Sequence, residues 1–248
     1  MDTQRTAQHS VAALLPIMGV VFIAFLIIGL AMPELPLHVH RGLGLSTFIV
    51  GLVVGSQFAA SLISRLWAGR HADSLGAKHA IVTGLIVSAL AGLLYLLSLR
   101  FVSEPATSII ILLMGRALLG GAESFIVAGA LNWGLSRVGP QNTGRVMEWV
   151  GTAMYVAFAV GAPAGDVLYA HYGFGAISLA TTLIPLVTLL IVSPLRPIAP
   201  QSHVRPTFAK VLGAVWGPGV GLALSSVGFG AITTFIALLF VGRGWGPA

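Results

Sequence analysis

Apolar residues fall in seven long, nearly unbroken runs, at about 12–32, 46–68, 79–99, 107–133, 146–168, 174–192 and 211–241. Each lies close to or above the roughly 20 residues that a helix needs to cross the hydrocarbon of a bilayer. A barrel strand would instead alternate apolar and polar positions over short segments. These runs are continuously apolar, so they predict seven transmembrane helices. The last is longer than a bilayer needs. Trp216-Gly217-Pro218-Gly219 is expected to mark where it meets the membrane, with residues 208–215 lying at the interface. Residues 1–10 carry one Arg and one Asp and no small-residue cleavage site, so the first run reads as a retained helix rather than a signal peptide.

Composition agrees with the pattern. Of 248 residues, 56% are hydrophobic and 8% are charged, against about 25% charged in a soluble domain. So few charges cannot cover the outside of a water-soluble fold of this size. A cytoplasmic enzyme, a secreted disulfide scaffold and a disordered chain are excluded. The net charge of +6 comes from cations spread in short groups. That spacing suits loops facing anionic lipid, not a patch for nucleic acid. With no Cys there is neither a disulfide nor a thiolate metal site.

Orientation follows from the bias of Lys and Arg toward the cytoplasmic side. Nine fall on one side: Arg5, Arg65, Arg70, Lys78, Arg137, Arg145, Arg196, Arg205 and Lys210. Arg41, Arg100 and Arg243 fall on the other, and Arg116 lies within a span. The N-terminus is therefore expected in the cytoplasm, and residues 242–248 outside.

Residues 1–193 read as a six-helix bundle and 194–210 as a basic, Pro-rich cytoplasmic linker. Residues 211–248 read as the first helix of a second bundle. A weak repeat supports this division. Leu37-His38-Val39-His40-Arg41-Gly42-Leu43-Gly44 and Leu239-Phe240-Val241-Gly242-Arg243-Gly244-Trp245-Gly246 are identical at five of eight positions. Both close a helix that opens a block, the arrangement of transporters built from parallel repeats. On this reading the chain stops one helix into its second half, and a fragment or truncated product is expected.

Polar residues within and between the spans carry the candidate chemistry. Gly69-Arg70-His71-Ala72-Asp73-Ser74-Leu75-Gly76-Ala77-Lys78-His79 joins the second and third spans. Its glycines permit a tight cytoplasmic turn. Asp73 can accept from backbone N–H groups at a helix N-terminus, and Lys78 can hold headgroups or carboxylates. An ordinary basic loop would also satisfy the charge bias. The spacing resembles the G-x-x-x-D-x-x-G-x-[RK]-[RK] loop of the major facilitator superfamily, with Ala77 and His79 departing from its most basic form. In the fourth span, Arg116 and Glu123 stand seven residues apart, two turns along one face and roughly 10 Å apart. Charges inside a bilayer face the bundle interior or a wet cavity by default. A structural polar cluster is the alternative. Arg116 with Gly120-Gly121 is similar to the family's second motif, which implies that Arg116 faces the central cavity and influences proton or substrate binding.

The fifth span carries Gly151 and then Gly161-Ala162-Pro163-Ala164-Gly165-Asp166. Its small residues allow close helix packing, and Pro163 favours a kink. The pattern resembles in part the family's antiporter motif, with Asp166 in place of a terminal glycine. The resemblance implies a tight seam between halves that favours export, while plain small-residue packing, as at Gly51 and Gly55, is the alternative. Glu34, at the outer end of the first span, reads either as a headgroup-level acid or as a gating or titrating group. His38 and His40 lack a third donor for a metal. Gln57, Ser225, Thr233 and Thr234 either line a cavity or bond backbone carbonyls.

The resemblance covers essentially the whole chain. Gly69–Gly76, Gly144-Arg145-Val146 and Gly228-Phe229-Gly230 with Thr234-Phe235-Ile236 are similar to the YhhS-type bacterial branch. It implies an all-α integral membrane protein, with the six-helix N-terminal bundle and seventh helix of a twelve-helix fold. It further implies a secondary transporter of the bacterial inner membrane that exports a small organic solute, sugar- or drug-like, in exchange for protons. The expected partners are that solute, protons and lipid; nucleic acid, a cofactor and a metal are not expected. Three other classes of function are open to such a chain. A retinal-type receptor needs a lysine deep in its last helix, and the only lysines are Lys78 and Lys210. An intramembrane enzyme needs a nucleophile or metal constellation that the spans do not carry. An inserted fragment without transport activity is the remaining alternative.

Overall fold

The computed structural model describes residues 2–195, 197 and 208–245, with side chains described for 14–195, 197 and 210–245. The chain folds into helices α1 (Asp2–Ala31), α2 (Glu34–Leu37), α3 (Thr47–Ser74), α4 (Ala77–Ser98), α5 (Pro105–Val138), α6 (Thr143–Val192) and α7 (Phe208–Gly242). No strand occurs among the described residues. Most of the expected 194–210 linker, with Arg196 and Arg205, lies outside them, as does Gly246 of the repeat; the side chain of Arg5 is likewise outside.

Six helical segments are long and apolar enough to cross a membrane, and the fifth, of 53 residues, is long enough to cross twice. Helix α6 has 50 residues, about 75 Å of helix and more than twice the hydrocarbon thickness. Gly173 interrupts it with φ 66° and ψ −171°, a conformation essentially confined to glycine. The two arms then pack on different partners. A Cβ placed on Gly161 would lie 3.0 Å from Gly29 Cα of α1, and one on Gly92 of α4 would lie 2.5 Å from Thr182 N. The seven expected passes are thus present.

Three boundaries differ from expectation. The first span continues past Ala31: Pro33 keeps helical angles, φ −77° and ψ −29°, and α2 runs into a π-helical turn at His38–Gly42. Proline is compatible with a first helical turn, so Pro33 and Pro36 bend the element without ending it. The glycine-bounded loop is mostly helix. α3 runs to Ser74 and α4 starts at Ala77, leaving a two-residue turn in which only Gly76 takes a positive φ, 96°. Third, α7 passes through Pro218 without a break.

The core lies where α1, α3, α4, α5 and α6 meet, around Ile27, Ile81, Tyr95, Leu119, Ile126 and Ile177. Large apolar side chains also cover the outside, with Leu62 and Leu190 at 72% and 75% exposure. Such a surface is compatible with hydrocarbon as solvent. Helix α7 packs on the bundle through its C-terminal half, where Ala237 is buried and Phe235 Cζ lies 3.6 Å from a Cβ built on Gly51.

Candidate functional site

Helix α5 presents its polar residues inward because small residues let its neighbours approach. A Cβ on Gly115 would meet the Tyr95 ring at 2.8 Å, and one on Gly120 would meet the Gln57 carbonyl oxygen at 2.0 Å. Glycine at these positions brings α4 and α3 against α5, with Arg116 between the two contacts.

Arg116 is 3% exposed, and its Nε and Nη1 have no hydrogen-bond partner among the described residues. It borders a void of about 10 Å³ with Ile28, Met32, Val54, Phe58 and Thr233, room for about one water. The guanidinium therefore faces the junction of α1, α3 and α7, not lipid. Glu123 looks onto a second space two turns further along. Gln57 Nε2 donates to Glu123 Oε2 at 3.1 Å. Beside them Ser124 Oγ donates to the Ser61 carbonyl at 2.8 Å. Glu123, Ser61, Ser124 and Arg65 border an open cavity of about 210 Å³. Gln57 thus bonds a carboxylate and not a backbone carbonyl. Ser225 and Thr233 do bond carbonyls of their own helix, at 2.8 Å each, and Thr233 also borders the Arg116 void.

The turn between α3 and α4 is tied to two other helices. Asp73 Oδ1 accepts from Asn132 Nδ2 of α5 at 2.7 Å, where backbone donors were expected. Lys78 Nζ donates to the carbonyls of Ser193 and Leu195 at 2.6 and 2.7 Å, instead of reaching headgroups or carboxylates. These carbonyls end α6, where a cation meets the negative end of the helix dipole. Gly69 lies within α3 and takes no part in the turn.

In the first arm of α6, Gly161 and Gly165 seat against α1 of the same bundle. A Cβ on Gly165 would lie 2.2 Å from the Leu30 carbonyl oxygen, whereas Gly151 meets nothing within 4 Å. Pro163 is exposed within the helix. Asp166 shares a cavity with Glu34 beside α2. Glu34 is 1% exposed. The helical continuation through Pro33 carries it into the packed interior of the bundle.

The two histidines are structural. His38 stacks on Phe174 with centroids 4.2 Å apart and planes 5° apart, and His40 Nδ1 lies 2.7 Å from the Leu45 carbonyl. No group of three His, Asp or Glu side chains gathers among the described residues. Sequence reasoning missed Tyr95, Asn132 and the Ser61–Ser124 pair. Asn132 had a readable signal, a lone amide at the end of an apolar helix, while the others needed the packing.

The Major Facilitator Superfamily profile matches residues 17–248. An uncharacterised MFS-type transporter of Salmonella typhimurium is 40% identical over 96% of this chain and 62% of its own length. The uncharacterised MFS-type transporter YhhS of Escherichia coli is 43% identical over 92% of this chain and 56% of its length. A Burkholderia pseudomallei MFS-type transporter is 38% identical over 99% and 60%. The chain spans about six tenths of the length of these curated relatives. With its inward-facing Arg116, its tied turn between α3 and α4 and a match over nearly its whole length, this chain belongs to the major facilitator superfamily.

Proposed function

We propose that this chain supplies the first six helices and the seventh helix of a twelve-helix secondary transporter of the bacterial inner membrane, with its N-terminus in the cytoplasm. Its activity is the export of a small organic solute in exchange for protons. The observation that carries this reading is Arg116: a guanidinium in an apolar helix whose Nε and Nη1 have no partner among the described residues, on a residue that borders the void at the junction of α1, α3 and α7. An unsatisfied charge inside a membrane is costly. It is accounted for by a path in which solute, water or a neighbouring carboxylate periodically partners it.

On this reading Glu123, held by Gln57, is the proton-exchanging acid beside that path. The bonds of Asp73 to Asn132 and of Lys78 to the end of α6 hold the cytoplasmic face in register during rocking. Gly161 and Gly165 keep α1 and α6 in close contact while Gly151 stays free for the second half.

The test is solute efflux by the full-length carrier in vesicles with an imposed proton gradient. Arg116→Leu and Glu123→Leu should each abolish gradient-driven flux while the protein remains inserted. Flux unchanged by collapsing the gradient would overturn proton exchange. Flux unchanged in both variants would overturn the site.

A further inference from the structure

We propose that a second ligand site, separate from the Arg116 cavity and independent of the direction of transport, lies at the outer end of the bundle, and that its ligand is a small organic cation bearing a primary ammonium. A cavity of about 460 Å³ opens there between α2, the first arm of α6 and the end of α7, bordered by Glu34, Arg41, Asp166, Tyr169, Val241 and Gly244. Its size lies within the range of small-molecule pockets.

Glu34 makes this a site and not merely two acids near one another. The side chain is 1% exposed, it borders the cavity, and its Oε2 has no hydrogen-bond partner among the described residues. A buried carboxylate oxygen without a donor is strongly unfavourable. Arg41 borders the same cavity yet does not reach that oxygen. A ligand N–H would.

Charge and shape select the ligand class. Two carboxylates face one guanidinium, so with all three ionised the cavity carries net negative charge and favours a monocation. Arg41 is exposed, so water screens it more than it screens Glu34. A bare metal ion does not fit: the space is far larger than an ion, and no three His, Asp or Glu groups converge among the described residues. Val241 and Gly244 supply apolar wall, and Tyr169 adds an aromatic ring, a surface that attracts ammonium groups. An ammonium also offers three donors, enough for both carboxylates.

Calorimetric titration of the purified full-length protein in nanodiscs, without any gradient, tests the proposal apart from transport. The probes are benzylammonium and its neutral counterpart benzyl alcohol. Benzylammonium should bind saturably, weaken at least about tenfold in Glu34→Gln and in Asp166→Asn, and keep most of its affinity in Glu34→Asp. Benzyl alcohol should not compete. A second measurement needs no variant: saturating benzylammonium should raise the thermal midpoint of the parent protein, and the same concentration of benzyl alcohol should not. Equal affinity for the two probes, binding unaffected by both neutral substitutions, or a midpoint indifferent to benzylammonium would each overturn the site.

Discussion

Gln57 of α3 gives its amide hydrogen to Glu123 of α5 across 3.1 Å, one turn from where the Gln57 backbone seats against Gly120. The close approach of the two backbones and the side-chain bond are one arrangement: without glycine at 120, α3 could not bring the amide to the acid. Gln57→Leu leaves the carboxylate without that donor. The expected cost is about 1–3 kcal/mol of stability, read as a lower thermal midpoint in detergent. Gln57→Glu places two acids in contact, and its midpoint should fall at neutral pH and recover as the solution is acidified. A Leu variant as stable as the parent would mean that the bond contributes nothing.

Legibility in the sequence divided along a physical line. Continuous apolar runs decide which segments enter a bilayer, so all seven passes were readable, including the two that meet at Gly173. Where a helix ends is decided by local packing. For that reason Pro33 and the Gly69–Lys78 segment were read as loop although both are largely helical. Arg116 and Glu123 announced themselves by their cost in an apolar span. Their surroundings did not, because Ser61 of α3 and Tyr95 of α4 come beside them only through helix packing. The burial of Glu34 was hidden for the same reason, since it depends on the first helix continuing through Pro33.

Two glycines of the same helix should behave oppositely. A Cβ at Gly165 would stand 2.2 Å from the Leu30 carbonyl oxygen, which is backbone and cannot swing aside, while a Cβ at Gly151 meets nothing within 4 Å. Gly165→Ala must push α1 and α6 apart, at an expected cost of about 1–3 kcal/mol. Gly151→Ala in this chain should be neutral or stabilising by up to about 1 kcal/mol, since alanine favours helix. Thermal unfolding of the two variants side by side checks the pair. Equal midpoints would refute the seam between α1 and α6.

Lys78 ties the start of α4 to the end of α6 through two carbonyls, Ser193 and Leu195. Lys78→Met should loosen that end. Because the ammonium is partly solvated, the expected loss is about 0.5–1 kcal/mol, too small for a decisive melt. Amide hydrogen exchange is the better probe: protection across residues 189–195 should fall several-fold in Lys78→Met and be retained in Lys78→Arg. The effect should shrink in high salt, which screens exposed charges. Unchanged exchange would show that the helix end is held by packing alone.

The absence of native cysteine makes the proposed orientation directly measurable. Leu75, in the turn between α3 and α4, and Tyr172, beside the break at Gly173, are 53% and 75% exposed. Three passes separate the two turns, through α4, α5 and the first arm of α6, so they must open on opposite sides of the membrane. The excess of Lys and Arg assigns the Leu75 side to the cytoplasm. In intact cells a membrane-impermeant maleimide should therefore label Tyr172→Cys and spare Leu75→Cys, and inverted vesicles should reverse the result. Labelling of both from one side would contradict the double pass of α6. A clean reversal of sidedness would preserve the fold and overturn only the orientation. Because each failure has its own signature, the same two substitutions examine the topology and the charge argument separately.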